Sequence, residues 1–539
     1  MDALEQRAYF SVPAPMIVNC TDGPDNVYIR HSNELVQVYV NEDGYFRYDN
    51  PPHNLTVVVN GLGGNDTIRV NDIEFGGGVK VDGGEGNDKI IVGGWGTYAL
   101  DVDGPVTVIG GNGRDELTVD SSRESTPQFK DIFEVTTHTI GWGGINDGGA
   151  QFHQWDVSYD ETMEFARLKT QDEDCRIEIK STSARTPVEV RAGSANDYFA
   201  VGNGDIDSNI RGSLSILAGG GTDTLYLNDA TDSGDDSYSL DLTRVSKPGA
   251  ANISFYQTEK TVLDANLFNN TINVLGTTAP TTVNGSAGLD RVFVGNNSKL
   301  DYIRATVSVE GGEGDDEVLV NASDESATST FAINGAQMSR SGPNSRTVKY
   351  SSVAKVFMNG GHGDDVFNVT PTLGPKLLLN AGGQTTSSPG DKLMFQSADK
   401  PVYVPDTFGG TYFFGTKSPV WVRGFETRPQ LGGSIGGTLF NDKNGDGDRD
   451  GPAEQVLGGR TVYLDWNNNR VLDVFEPRTT TNGDGKYLFL GLQPATYKVR
   501  QILPSGWRQT SPTDGNGQNV TLGTNEIRTG VDFGSKVIV

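Results

Sequence analysis

With 70 glycines, 23 prolines and only 35% apolar residues over 539 positions, the chain suits many short strands and turns better than one thick globular core. Its 70 acidic against 43 basic residues leave a formal charge of −27, which argues against a nucleic-acid or anionic-membrane partner and makes cations the natural ligands. No run of 18 apolar residues occurs, which excludes a transmembrane helix, and Cys20 and Cys175 stand too far apart for a metal-type spacing and read as unpaired thiols.

The chain opens on "MDALEQRAYFSVPAP", which lacks the basic region and apolar stretch of an ordinary secretory signal. Its "LEQRAYFS" is similar to a shortened form of the LEPR-type N-terminal segment on large exported proteins of planctomycete-like bacteria, a resemblance that implies export. Residues 1–14 are therefore set apart from a body expected over 15–430.

That body carries a glycine-rich repeat. "VDGGEGNDKIIV" at 81–92 returns as "NGLGGNDTIRV" at 60–70, "IGGNGRDELTV" at 109–119 and "AGSANDYFAV" at 192–201. Further copies are "AGGGTDTLYL" at 218–227, "NGSAGLDRVFV" at 284–294, "EGGEGDDEVLV" at 310–320, "NGGHGDDVFNV" at 359–369 and a broken "AGGQTTSSPGDKLMF" at 381–395. A phosphate loop would need Lys-Ser/Thr opening a helix, whereas Lys89-Ile90-Ile91-Val92 runs on as a strand. The copies resemble the G-G-x-G-x-D-x-U-x nonapeptide of RTX proteins, whose glycine turns hold Ca²⁺ between stacked strands.

Here, unlike in an RTX roll, the marker aspartates are widely separated: Asp66, Asp88, Asp115, Asp197, Asp223, Asp290, Asp316, Asp365 and Asp391. Steps near 26 residues fit one coil of about three short strands plus turns, and the larger steps fit two or three coils. The expected fold is therefore all-β, a parallel β-helix or β-solenoid with one glycine turn per coil. The closest-stacked pairs are expected to be Asp66 with Asp88, Asp88 with Asp115, Asp197 with Asp223, Asp290 with Asp316, and Asp365 with Asp391. Two readings stand for these aspartates: ligands of Ca²⁺ held between successive turns, or caps of their own turns through backbone N–H groups.

Polar excursions interrupt the coils, "DSSRESTPQ" from 120, "NDATDSGDDS" from 228 and "NASDESATST" from 321, as loops projecting from a scaffold. The insert "HQWDVSYDETMEF" (153–165) is the candidate groove for an enzyme, with Asp156, Asp160 and Glu161 as its acids. Against catalysis, the five histidines show no metal spacing, and no nucleophile elbow or zincin motif appears.

The stretch "FETRPQLGGSIGG" (425–437) reads as a linker, with the boundary at 431–437, ahead of a module over 438–539. In "LDWNNNRVLDVFEP" the side chains of Asp465, Asn467, Asn469, Asp473 and Glu476, with the Val471 carbonyl, fall at the positions of an EF-hand-like calcium loop, although Arg470 replaces the usual glycine. "NDKNGDGDRDGPAE" offers a similar set in Asp442, Asn444, Asp446, Asp448, Asp450 and Glu454, its final acid one place late. The flanks "RTVYL" and "KYLFLGL" are strands, so helix–loop–helix is not expected. With "TNGDGKYLFLGLQPATYKVRQILPSGW" (481–507), the tail resembles the B-type domain of serine-aspartate-repeat surface proteins. That resemblance implies a Ca²⁺-binding β-sandwich of the prealbumin-like class that stiffens a surface stalk.

The reading reached from sequence is a secreted or cell-surface, calcium-binding structural or adhesive protein. Its partners would be calcium and a surface polysaccharide or an extracellular protein. The alternative is a β-helix lyase, hydrolase or epimerase acting on polysaccharide.

Overall fold

The computed structural model describes residues 14–31, 35–41, 44–49, 51–52, 54–71, 77–94, 104–122, 130–145, 151–341, 345–383, 390–397, 401–429, 432–513, 515 and 517–538. The LEPR-like "LEQRAYFS" segment, most of the excursion at 120–128 and part of the broken copy at 381–395 lie outside these residues, as do the side chains of His153 to Trp155. The chain is all-β; among the described residues its helical content is a single turn, Ile206–Asn209, capped by Asp205. No helix of the described residues is long and apolar enough to cross a membrane. It divides into two compact units, Met1–Ala287 and Gly288–Val539.

In the first unit, short strands pair in parallel from one repeat to the next. One run joins Met16–Asn19, Val57–Asn60, Val79–Glu85, Val106–Asn112 and Gln151–Tyr159. A second joins Asn26–His31, Thr67–Val70, Lys89–Gly93, Glu116–Asp120, Phe165–Lys169, Val188–Arg191 and Leu214–Leu217. Alternation sets which side chains enter the core. In the second run Ile68, Ile90, Leu117, Ala166, Val188 and Leu214 stand in register, and all are buried. Val70, Val92, Val119, Leu168, Val190 and Ile216 form the next buried row. Antiparallel hairpins are added at the start, by Leu35–Val40 and Gly44–Asp49, and within the insert, where Lys130–Val135, Thr139–Ile145 and Gln151–Tyr159 fold on one another.

The second unit repeats the scheme. Arg291–Val294, Glu317–Asn321, Lys355–Asn359, Lys376–Asn380 and Lys417–Arg423 pair in parallel, as do Thr330–Ile333, Val366–Val369 and Lys392–Phe395. Its C-terminal part holds two sheets. Gly433–Asn441 pairs with Lys486–Leu492 and Phe533–Val537, while Thr461–Leu464 pairs with Arg478–Thr480 and Ala495–Gln501.

The segment read as a linker is strand from Gly433 onward. The reason lies in the hairpin before it: Val402–Pro405 meets Lys486–Leu492 at Tyr403 and Leu490, and Val402, Val404 and Phe413 share one apolar core with Ile435, Phe489 and Val520. The glycines of 432–437 thus make close contacts rather than slack; a Cβ on Gly437 would lie 2.0 Å from the Val531 carbonyl oxygen. A fragment 432–539 should therefore be less stable than a fragment 401–539 by about 2–5 kcal/mol, since burying each such side chain contributes roughly 1.5–3 kcal/mol. Urea titrations of the two fragments check this, and equal midpoints would show that the hairpin adds nothing.

Candidate functional site

At each glycine turn the marker aspartate enters its strand and is almost fully buried. Its carboxylate does not cap its own turn, as one reading of the sequence had it, but reaches the turn one coil earlier. The Asp66 N–H donates to Asp88 Oδ1 (2.7 Å) and the Asp88 N–H to Asp115 Oδ1 (2.8 Å). The Asp197 N–H donates to Asp223 Oδ1 (2.7 Å), the Asp290 N–H to Asp316 Oδ1 (2.8 Å) and the Asp365 N–H to Asp391 Oδ1 (2.7 Å). All five expected pairs are thus joined directly. Asp365 also takes a donor from its own turn, the Gly361 N–H at 3.0 Å. Main-chain bonds run alongside, from the Lys89 N–H to the Asp66 carbonyl and from the Glu116 N–H to the Asp88 carbonyl.

The motif search missed members of this ladder. Asp25 heads it, donating its N–H to Asp66 Oδ1. Where the following coil lacks a glycine turn, a longer acid spans the wider gap: Glu164 accepts from the Asp115 N–H, Glu259 from the Asp223 N–H and Glu426 from the Asp391 N–H. The available signal was an acid directly ahead of an alternating strand, as in Glu164-Phe165 and Glu259-Lys260, without the glycines. A parallel ladder runs the opposite way: Asn65 Oδ1 accepts from the Asn87 N–H, and Asn87 Oδ1 from the Arg114 N–H.

The glycines follow from the carboxylates. A Cβ on Gly83 would lie 2.5 Å from both Asp88 Oδ2 and the Gly110 carbonyl oxygen. Gly86, at φ +133°, stacks so closely that its Cβ would sit 1.6 Å from the Gly64 carbonyl oxygen. The Oδ2 atoms of Asp66, Asp88, Asp115, Asp197, Asp223, Asp316 and Asp391 are buried and have no hydrogen-bond partner among the described residues. Burial therefore raises these carboxyls, to about 6 for Asp66, Asp115 and Asp223 and about 7 for Asp197 and Asp391. Asp88, Asp316 and Asp365 are raised by burial as well.

A second buried polar centre sits among the loops of the first unit. Lys247 Nζ lies 2.7 Å from Asp229, 2.5 Å from Asp232 and 3.0 Å from Asp236, and also pairs with Asp207. Asp205, Asp207, Asp229 and Asp232 are close enough to hold a metal ion, but the lysine already supplies the cation. The acids of the suggested catalytic insert are dispersed in role. Asp156 belongs to the strand Gln151–Tyr159, Asp160 accepts from the Thr162 hydroxyl (2.6 Å), and exposed Glu161 faces Arg185 at 3.6 Å.

The C-terminal acidic loops are built alike at most positions, the first aspartate of each differing in one of its two donors. Asp465 accepts from the Asn469 and Arg470 N–H groups, and Asp442 from those of Gly445 and Gly447. Glu476 bridges the Trp466 and Asp473 N–H groups, while Glu454 bridges those of Lys443 and Asp450. The extra residue before Glu454 thus changes nothing in its bonding. Asn469 accepts from the Val471 N–H as Asp446 does from Asp448, and Asn467 and Asn444 donate to Asp473 and Asp450. Arg470 adopts φ +68°, matching Gly447 at +93°. The loop residues bonded to one another in this way are carboxylates and amides, whose oxygens suit a hard cation such as Ca²⁺. Burial, then the nearby Asp465 and Asp473, raises Glu476. Arg500 approaches Asp465 from the adjoining strand.

Residues 433–531 match the SdrD B-like domain family. The C-terminal module is SdrD B-like. Over 97 residues the chain is 36% identical to the serine-aspartate repeat-containing protein D of Staphylococcus aureus strain Newman, covering 18% of this chain and 7% of that protein. It is 31% identical over 122 residues to the serine-aspartate repeat-containing protein F of Staphylococcus epidermidis, covering 21% of this chain and 7% of that one. The chain therefore spans under a tenth of the length of the curated relatives it matches. Val402, Val404 and Phe413, which complete the core, lie ahead of the matched residues.

Two outcomes follow from the ladder. Asp88→Asn keeps an acceptor for the Asp66 N–H and should change stability by less than about 1 kcal/mol, whereas Asp88→Ala leaves that N–H buried and unpaired and should cost about 1–3 kcal/mol. Denaturant titration separates them; equal losses would mean that charge, not the hydrogen bond, matters. Because the folded carboxyls titrate above the unfolded value near 4, folding takes up protons between about pH 4 and 7. Their contribution is complete below about pH 4 and lost as pH rises through 6 to 7. In chelator the full chain should melt higher near pH 5 than near pH 8, and the double variant Asp197→Asn with Asp391→Asn should flatten that difference.

Proposed function

We propose that this chain is a calcium-braced structural or adhesive protein of the cell surface or extracellular space. The observation that carries the reading is the pair of matched acidic loops in the SdrD B-like module. Asp465, Asn467, Asn469, Asp473 and Glu476 with the Val471 carbonyl would hold one Ca²⁺, and Asp442, Asn444, Asp446, Asp448, Asp450 and Glu454 a second. Bound calcium would neutralise acids that repel one another and fix loops whose backbone is already bent around their side chains. The similarity to surface proteins named for serine-aspartate repeats supports the location.

The parallel runs of the two units are read as coils of a β-solenoid, a scaffold that presents excursion loops to a partner. Along the coils the buried carboxylates are read as hydrogen-bonded caps. In Asp66, Asp88, Asp115 and Asp316 one oxygen is taken by an N–H group and the other faces a glycine, which leaves few of the six to eight oxygens that calcium takes. The partner would be a surface polysaccharide or an extracellular protein.

Thermal melts of the full chain in chelator and in Ca²⁺ test the reading. Ligand linkage gives the C-terminal transition about 2.7 kcal/mol when free Ca²⁺ reaches a hundred times its dissociation constant. Glu476→Gln keeps the volume but removes the bidentate charge, and should reduce that gain while leaving the chelator melt within a few degrees of wild type. Identical wild-type melts in both conditions would end the calcium assignment.

A further inference from the structure

On the second parallel run of the first unit, the outward rows form a recess rather than a flat face. Thr118 and Asp120 alternate with inward Leu117 and Val119, yet each is only 9% exposed. A concavity of about 280 Å³ opens over them, floored by Ile91, Thr118 and the Gly93-Gly94 backbone. Its walls are cationic: Arg69 and Lys89 on two successive coils, and Arg167 and Lys169 at the other end. The two ends differ in commitment. Lys169 pairs with Asp120 (2.7 Å), and Arg167 pairs with Glu189 (2.6 Å) while lying over the Phe165 ring. The side chains of Arg69 and Lys89 have no ion-pair or hydrogen-bond partner among the described residues. Four cations against Glu116, Asp120 and the Glu189 that pairs with Arg167 leave this recess positive in a chain of charge −27.

We propose that this recess binds a short acidic saccharide, one bearing carboxylate or sulfate groups. Arg69, Ile91, Thr118 and Arg167 follow one another across three strand spacings, so the cationic ends stand about 14 Å apart at the backbone. That span fits a run of sugar rings rather than a single small anion. The floor is mixed: the Ile91 side chain and glycine backbone meet the C–H face of a ring, and Thr118, Glu116 and Asp120 meet hydroxyl groups. Arg69 and Lys89 supply the anion-recognising charge, and their strands hold them in place before binding, so little ordering is required. The strongly negative remainder of the surface disfavours a long polyanion such as nucleic acid, which would extend past the recess into repulsion.

The inference deepens the adhesive reading by naming a ligand class, but it rests on the first unit alone and is measured in chelator, so failure of the calcium reading leaves it untouched. Isothermal titration of the full chain uses four probes: a galacturonate oligomer, a sulfated chondroitin oligomer, a neutral galactan oligomer of the same length, and inorganic sulfate. The expected result is binding of one acidic oligomer, the responding probe telling carboxylate from sulfate, at least tenfold tighter than the neutral oligomer or sulfate. The Arg69→Gln, Lys89→Gln double variant should weaken it at least tenfold with an unchanged melting temperature. If that variant folds poorly, Lys89→Gln alone, at an exposed position, should weaken binding severalfold. Absence of binding to both acidic oligomers, equal binding of the neutral one, binding of sulfate alone, or full affinity in the folded variants would overturn the proposal.

Discussion

A parallel strand satisfies its backbone through its neighbours in the sheet, but at each glycine turn the chain leaves the ladder and a buried N–H group is stranded. The aspartate carboxylate of the next coil supplies the missing acceptor, as Asp88 does for Asp66 and Asp391 for Asp365. Much else depends on this bond. In several turns it favours glycine opposite Oδ2, because a Cβ at Gly83 would occupy the carboxylate's space, whereas Ala192 and Ala218 stand at the same place before Asp197 and Asp223. It fixes the phase of the strand that follows, so that Ile90 and Val92 fall inward beside Ile68 and Val70. A coil without the glycine turn keeps the bond by lengthening the acid, as Glu164 does.

The same bond carries a cost, since a row of carboxyls is removed from water and their pKa values rise. The C-terminal loops use related chemistry in a more open setting. Asp442 and Asp465 also accept backbone N–H groups, and Glu454 and Glu476 each tie two of them, but Asn444, Asp446, Asn467 and Asn469 around them are half-exposed or exposed. Closed turns consume the acids for folding; the open loops leave theirs near solvent. Placement, rather than the number of acids, separates the two roles.

Binding surfaces divide along the same line. On the outer rows of a coil, side chains are free of packing duties, so a local reversal of charge such as Arg69 and Lys89 stands on a rigid support. Lys247 shows the opposite arrangement, a cation drawn wholly inside and surrounded by Asp229, Asp232 and Asp236. These three carboxylates share one excursion, and it is Asp207 and the lysine itself that sequence spacing alone does not bring to them.

The sequence by itself determined the all-β class, the coil-sized steps, the marker aspartates and the stacking pairs, because the glycine turn and the two-residue alternation are local signals of fixed spacing. It also determined the SdrD B-like tail, whose two acidic loops are each contained within a dozen residues or so. Tertiary structure alone decided the direction of each carboxylate, since whether Asp88 bonds its own turn or that of Asp66 depends on how coils stack. Glu164, Glu259 and Glu426 were hidden because the ladder recognises an acid's reach and not a motif. Packing likewise turned an apparent linker into strand: Val402, Val404 and Phe413 complete an apolar core with residues far along the chain, and no local pattern encodes a contact of that separation.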